Sequence, residues 1–86
     1  MDAAQTALAR HALGLNGRRD TSYRNHYVVG KGAPDHAAWM EMVAAGDATR
    51  TDGAKLHYGG DDMFNLTRQG AEKALLPGEH LEDDFN

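Results

Sequence analysis

Residues Met63-Phe64-Asn65-Leu66-Thr67-Arg68-Gln69-Gly70 run straight into Ala71-Glu72-Lys73-Ala74-Leu75-Leu76, and this junction constrains the fold more than any other stretch. Phe64 and Leu66 alternate with Asn65, which gives a strand one apolar face. Thr67 then offers a side-chain oxygen to the free amides of a first helical turn, so strand passes into helix at Thr67 or Arg68. Pro77-Gly78 stops that helix after Leu76. Gly70 is a poor helix former so near the start, and its presence predicts a backbone packed closely against the strand.

The segments before the junction supply the remaining elements. From Ala3 to about Leu15, Ala, Leu, Gln and Arg favour a helix. Its apolar stripe runs through Ala4, Ala7, Leu8, His11, Ala12 and Leu15, and Gly14 with Asn16-Gly17 provides the stop. Tyr27-Val28-Val29 reads as a short edge strand, broken by Gly30-Lys31-Gly32-Ala33-Pro34. A helix over residues 35–45 follows, with Asp35 as N-cap, Trp39, Met40, Met42 and Val43 as its apolar face and Gly46 at its end. Trp39 is the largest hydrophobe and the expected centre of the core. Between Asp47 and Leu66, Asp52-Gly53 and Gly59-Gly60-Asp61-Asp62 signal the turns of antiparallel strands.

Composition sets the outer limits. With 86 residues the chain supports one core, and 41% hydrophobic with 26% charged residues is ordinary for a soluble domain. No apolar run approaches the ~20 residues that cross a bilayer, so no membrane association is expected. The start Met1-Asp2-Ala3-Ala4-Gln5 lacks the basic-then-apolar order of a secretory signal, and zero cysteines exclude disulfides and thiolate zinc sites. Both fit a reducing cytoplasm.

The net charge of −4 is unevenly spread. Residues 1–31 hold Arg10, Arg18, Arg19, Arg24 and Lys31 against Asp2 and Asp20, a net +3. Residues 32–71 are net −3, and residues 72–86 are net −4, with Lys73 facing Glu72, Glu79, Glu82, Asp83 and Asp84. Two unlike faces follow from this order, unless the charges form an ordinary solvated surface.

The succession Trp39…Met42-Val43…Gly46, hairpin, Phe64-x-Leu66-Thr67-x-x-Gly70-x-x-x-Ala74-Leu75 resembles the recognition helix, wing and following helix of winged-helix proteins. That resemblance covers roughly the second half of the chain. It implies an α+β fold, a small degenerate winged-helix-like domain over residues 1–78 with about three helices and a two- or three-stranded antiparallel hairpin sheet. Residues 79–86 would be an acidic, solvated C-terminal tail. Arg10-His11-Ala12-Leu13-Gly14-Leu15, Tyr23-Arg24-Asn25-His26-Tyr27, Trp39, Met42-Val43, Gly59-Gly60-Asp61-Asp62, Leu66-Thr67 and Asp83-Asp84-Phe85 are also similar to small uncharacterised bacteriophage and prophage proteins. That second likeness implies a phage origin and the cytoplasm of a bacterial host, without an activity.

Charge opposes the DNA binding that a winged helix suggests. The helix at the recognition position carries Asp35, His36 and Glu41 with no Lys or Arg, and residues 47–62 set Arg50 and Lys55 against Asp47, Asp52, Asp61 and Asp62. Carboxylates beside phosphates oppose the counterion release that drives such binding. The basic segment is the better surface for an anionic partner: Arg18, Arg19, Arg24 and Lys31 are interleaved with Tyr23 and His26. Against this stands the plain reading of a hydrated loop. Glu79, Glu82, Asp83, Asp84 and Phe85 form a candidate acidic docking tail, with a solubilising end as the alternative.

Chemistry finds no pattern to hold. Gly30-Lys31-Gly32 lacks the phosphate-loop spacing, and Gly59-Gly60-Asp61-Asp62 reads as a turn. The five histidines are scattered, with His57 beside Asp61 or Asp62 the one local cluster. No catalytic residue, metal or cofactor is assigned. The expectation is a noncatalytic accessory protein that binds a host or phage protein, as an inhibitor of a regulator or defence complex. The alternative is a winged-helix DNA-binding transcriptional regulator, dimeric if it binds DNA.

Overall fold

Local capping and period-two burial build the elements, described in a computed structural model over residues 1–55 and 60–85. Helix α1 (Ala3–Leu13) starts in a reciprocal capping box, in which Asp2 accepts from the Gln5 amide and the Gln5 side chain accepts from the Asp2 amide. Strand β1 (Tyr27–Val29), helix α2 (Pro34–Ala44), strand β2 (Ala48–Thr51), a 3₁₀ turn (Gly53–Lys55), strand β3 (Asp62–Leu66) and helix α3 (Arg68–Lys73) follow. Among the described residues the chain is thus a small α+β protein with three α-helices and a three-stranded antiparallel sheet. The sheet order is β1-β3-β2, so β1 is an edge strand as its sequence suggested. Tyr27 pairs with Phe64 and Ala48 with Leu66. Among the described residues, no helix is long and apolar enough to cross a membrane.

The core follows from the face β3 buries. Asp62, Phe64 and Leu66 point inward while Met63 and Asn65 are half-buried on the other side. Trp39 is fully buried, as expected, stacks on Phe64 with centroids 5.5 Å apart and meets Tyr27 at a tilt of 37°, 5.4 Å away. Such aromatic contacts contribute about 0.5–1.5 kcal/mol each beyond burial. The Trp39 indole N–H finds no hydrogen-bond partner among the described residues. Ala9, Ala12, Leu13, Met42, Ala71 and Ala74 close the core from the helices.

Several expectations need correction. Helix α1 ends at Leu13, because Gly14 takes the left-handed conformation (φ 79°) and caps it. Its buried face is Ala9, Ala12 and Leu13; Ala4, Ala7 and His11 are exposed, and Leu15 reaches the core from beyond the helix. Small alanines left the stripe undefined by about one position, and the larger leucines decide it. Asp35 does not cap α2: Ala33 is the cap, Pro34 opens the helix, and the Asp35 carboxylate accepts from the Tyr27 hydroxyl at 2.7 Å. Met40 faces solvent. Helix α3 stops at Lys73, ahead of the proline, as Ala74 and Leu75 close tighter turns onto Ala71 and Glu72.

The largest correction concerns residues 79–85, which are no solvated tail. Phe85 is buried, Leu81 packs on the core, and His80 makes a parallel bridge to Thr21. The Arg10 guanidinium grips Glu79 with two bonds of 2.5 and 2.8 Å, and Arg68 donates to the Phe85 carbonyl while lying over its ring. Burial of Phe85 and the ion pair of Glu79 together hold the acidic run on the body.

The junction at Thr67 is a joint between two corners. Its hydroxyl accepts from the Gly70 amide and donates to the Gly46 carbonyl, and its amide donates to the Asp47 carbonyl. A Cβ on Gly70 would lie 1.9 Å from that Asp47 carbonyl oxygen, so the close approach predicted for Gly70 is made to the chain entering β2. Buried Asp47 is held below the usual carboxylate range chiefly by Lys73, at 2.8 Å, with Gln69 assisting.

Candidate functional site

Two charged clusters stand out, and they differ in how their charges are matched. The first surrounds Asp62. Period two along β3 turns this acid inward with Phe64, and its carboxylate is fully buried. Arg50 on β2 donates its Nε at 2.8 Å, His36 on α2 lies 2.8 Å away through Nε2, and the Gly53 amide donates at 2.9 Å. The guanidinium, then the imidazole and the amide, hold the Asp62 carboxyl far below its ordinary value. The cluster joins α2, β2 and the 3₁₀ turn through one anion. His57, the expected companion of Asp61 or Asp62, lies outside the described residues, as does Gly59. Among the described residues, no group of three or more metal-ligating side chains is placed to hold a metal.

The second cluster is the basic segment that the sequence singled out. Residues 20–26 are pinned to the body by their backbone and by Asn25. Ser22 donates to the His80 carbonyl, Tyr23 to Leu13 and His26 to Ala12. The Asn25 side chain donates to the Leu66 carbonyl and accepts from the Leu66 amide, imitating one more rung beside β3. The Glu82 amide donates to the buried Ser22 hydroxyl. Residues 79–85 therefore help position the basic segment, a link that its charge pattern did not announce.

Tyr23 is the centre of this surface. Its ring is half exposed, at 50%, yet held in place. A Cβ on Gly14 would fall 2.2 Å from Tyr23 Cε1, so the glycine that caps α1 also makes room for the ring. The Arg19 guanidinium lies over the ring at 4.5 Å from its centroid and that of Arg24 at 5.3 Å. Arg24 also donates to the His11 carbonyl at 2.7 Å, countering the negative end of α1. Neither guanidinium faces a carboxylate among the described residues.

The remaining predicted residues divide around that centre. His26 and Arg24 line a depression with His11, Tyr27 and Val28. Arg18 and Arg19 line a second, together with Asp20, Leu76, Pro77 and Glu79. Lys31 is exposed in the turn beyond β1 and lines neither. Of the acidic set, Glu79 is committed to Arg10, which draws its carboxyl down to about 2, and Phe85 is buried. Asp83 and Asp84 are exposed, and a hydrogen bond with Asp84 raises the Glu82 carboxyl. Tyr27 is held neutral: its bond to Asp35, aided by burial, pushes the phenol up to about 12.

Compared with protein-family models, with curated proteins and with solved structures, the chain gave no significant match. Any functional reading therefore rests on the residues themselves.

Proposed function

We propose that this chain is a noncatalytic binding protein that holds a partner protein through the surface centred on Tyr23. The observation that carries this reading is the pair of guanidiniums, Arg19 and Arg24, stacked over a pinned, half-exposed tyrosine ring. A preordered aromatic with Arg neighbours loses little entropy on contact, and such residues dominate the energetics of interfaces. The cations select an acidic patch on the partner. A phage or prophage accessory protein in the bacterial cytoplasm, inhibiting a host regulator or defence complex, is the setting suggested by the resemblance of the sequence.

A photo-cross-linking residue at exposed Arg18 tests the reading in cells that carry the gene. One protein should be trapped, resistant to nuclease, and lost when Arg19 is changed to Ala. Absence of any adduct counts against a binding role for this face.

A DNA-binding regulator is the second reading, supported by the element order of α2, the β2–β3 pair and α3, with β1 joining the hairpin. Its charges oppose it. The exposed positions of α2 include Glu41, Met40 and Ala37 and no cation. Trapping of nucleic acid instead of protein would favour it.

A further inference from the structure

The two depressions are linked through the guanidiniums over Tyr23, which itself lines neither, and together they make one band. Arg19 lines the depression that includes Leu76 and lies over the ring; Arg24 lies over the same ring and lines the depression that includes Val28. Each depression includes an exposed apolar side chain, Leu76 at 54% in one and Val28 at 43% in the other. Their lining carries Arg18, Arg19 and Arg24 against Asp20 and Glu79, and Glu79 is already matched by Arg10, which leaves three guanidiniums against one carboxylate without a cation partner among the described residues. The depressions measure about 370 and 400 Å³. That is the low end of the ~300–1,000 Å³ range for ligand sites, room enough for a side chain of a partner.

Resting on the reading of this face as a protein-binding surface, we infer that the partner enters as an extended acidic segment laid across Tyr23. Its carboxylates meet Arg18, Arg19 and Arg24, and an apolar side chain at each end rests against Leu76 and Val28. Charge complementarity selects the acidic occupant, and the flanking leucine and valine select one with apolar ends. The chain itself shows the compatible geometry on the neighbouring side of the same loop. Its own acidic segment runs extended along residues 20–22, with His80 donating to Asp20, Ser22 to His80 and Glu82 to the Ser22 hydroxyl. The bidentate hold of Arg10 on Glu79 fastens the start of that segment.

Single-stranded nucleic acid fits the band less well. A base that stacks on Tyr23 must displace the guanidiniums already over the ring, whereas a carboxylate binds them where they stand. A ten-residue extended segment reaches roughly 33–36 Å, comparable with the 37 Å long axis of the molecule, which sets the length of the probes.

Fluorescence anisotropy with the whole chain tests this. The probes are synthetic ten-residue peptides with an Asp/Glu centre and Leu at both ends, the same peptides with Ser at both ends, and a ten-nucleotide single strand. The Leu-ended peptide should bind about tenfold tighter than the Ser-ended one. Leu76→Ser and Val28→Thr should each remove a few-fold of that advantage, leaving the Ser-ended peptide unaffected, while Arg19→Ala weakens both. Melting curves verify that these surface variants stay folded.

Equal affinity for Leu- and Ser-ended peptides overturns the inference, as does indifference to Leu76→Ser and Val28→Thr. Tighter binding of the oligonucleotide also overturns it. The Arg18 cross-link is a separate readout: a trapped protein with failed peptides rejects only the extended mode, and no adduct rejects the protein-binding reading itself.

Discussion

The Asp62 cluster and the Tyr23 surface use similar residues to opposite ends. Around Asp62, the guanidinium of Arg50, the imidazole of His36 and the Gly53 amide converge on one buried carboxylate. Around Tyr23, the guanidiniums of Arg19 and Arg24 converge on a neutral ring half open to solvent. A matched buried charge ties elements together and is costly to disturb. An unmatched exposed cation adds little to folding and keeps its electrostatic attraction for another molecule. The difference separates what holds this chain together from what it offers outward.

The largest effect should come from breaking the matched cluster. Asp62→Ala leaves exposed Arg50, half-buried His36 and the buried Gly53 amide without their shared acceptor, and a buried amide left unsatisfied costs more than its bond contributed. Its thermal midpoint should fall below those of Gly70→Ala, Glu79→Gln and Arg19→Ala, with Asp62→Asn milder than Asp62→Ala. A midpoint equal to the wild type would mean that the cluster is not structural. Gly70→Ala comes next, because its Cβ must displace the Asp47 carbonyl from 1.9 Å. Overpacking of that kind costs roughly 2–3 kcal/mol, readable in a urea titration.

How these clusters appear in the sequence explains what was legible. The Leu66-Thr67 junction, the buried Trp39 and the edge strand at Tyr27 follow from capping, size and β-propensity, all local properties. Tyr23, Arg19 and Arg24 lie within six residues of one another, so their association was visible as composition. Asp62 was hidden because its neighbours Gly60 and Asp61 argue for a turn, and only the period set by Phe64 and Leu66 turns it inward. Its partners His36 and Arg50 come from separate elements, which no local pattern joins. The return of residues 79–85 depends likewise on distant Arg10 and Ser22. Acidic composition concealed the contribution of Glu79 and Phe85.

Glu79 offers a matched pair at the boundary between these two classes, with its side chain 8% exposed. Arg10 lowers its carboxyl from 4.5 to about 2. Because the folded value is depressed, the contribution is fully present above pH 4.5 and is lost as pH falls toward 2. Glu79→Gln should therefore cost about 1.5–3 kcal/mol at pH 7, the worth of bonds to a charged group. Urea titrations across pH should show the gap between wild type and variant closing below pH 4.5. A gap that stays constant down to the acid limit of the titration would place the stabilisation in packing and not in the ion pair. The basic segment should loosen with it, since Glu79 anchors the strand that His80 and Glu82 lay beside residues 20–22.

The smallest effect on folding is the sharpest test of the comparison. Arg19 is exposed; its guanidinium rests over Tyr23 and donates weakly, at 3.3 Å, to the Thr21 carbonyl. Arg19→Ala should change stability by no more than about 0.5 kcal/mol, since exposed charges away from a matched network contribute little. Capture of an acidic partner should nevertheless weaken several-fold, and raising salt from about 50 to about 300 mM should weaken wild-type capture more than that of the variant. Arg24→Ala should combine both effects, because Arg24 also holds the His11 carbonyl at the end of α1. If Arg19→Ala lowered the melting point as much as Glu79→Gln, Arg19 would belong with the matched charges. The Tyr23 surface would then be part of the scaffold, and the binding face would have to lie elsewhere.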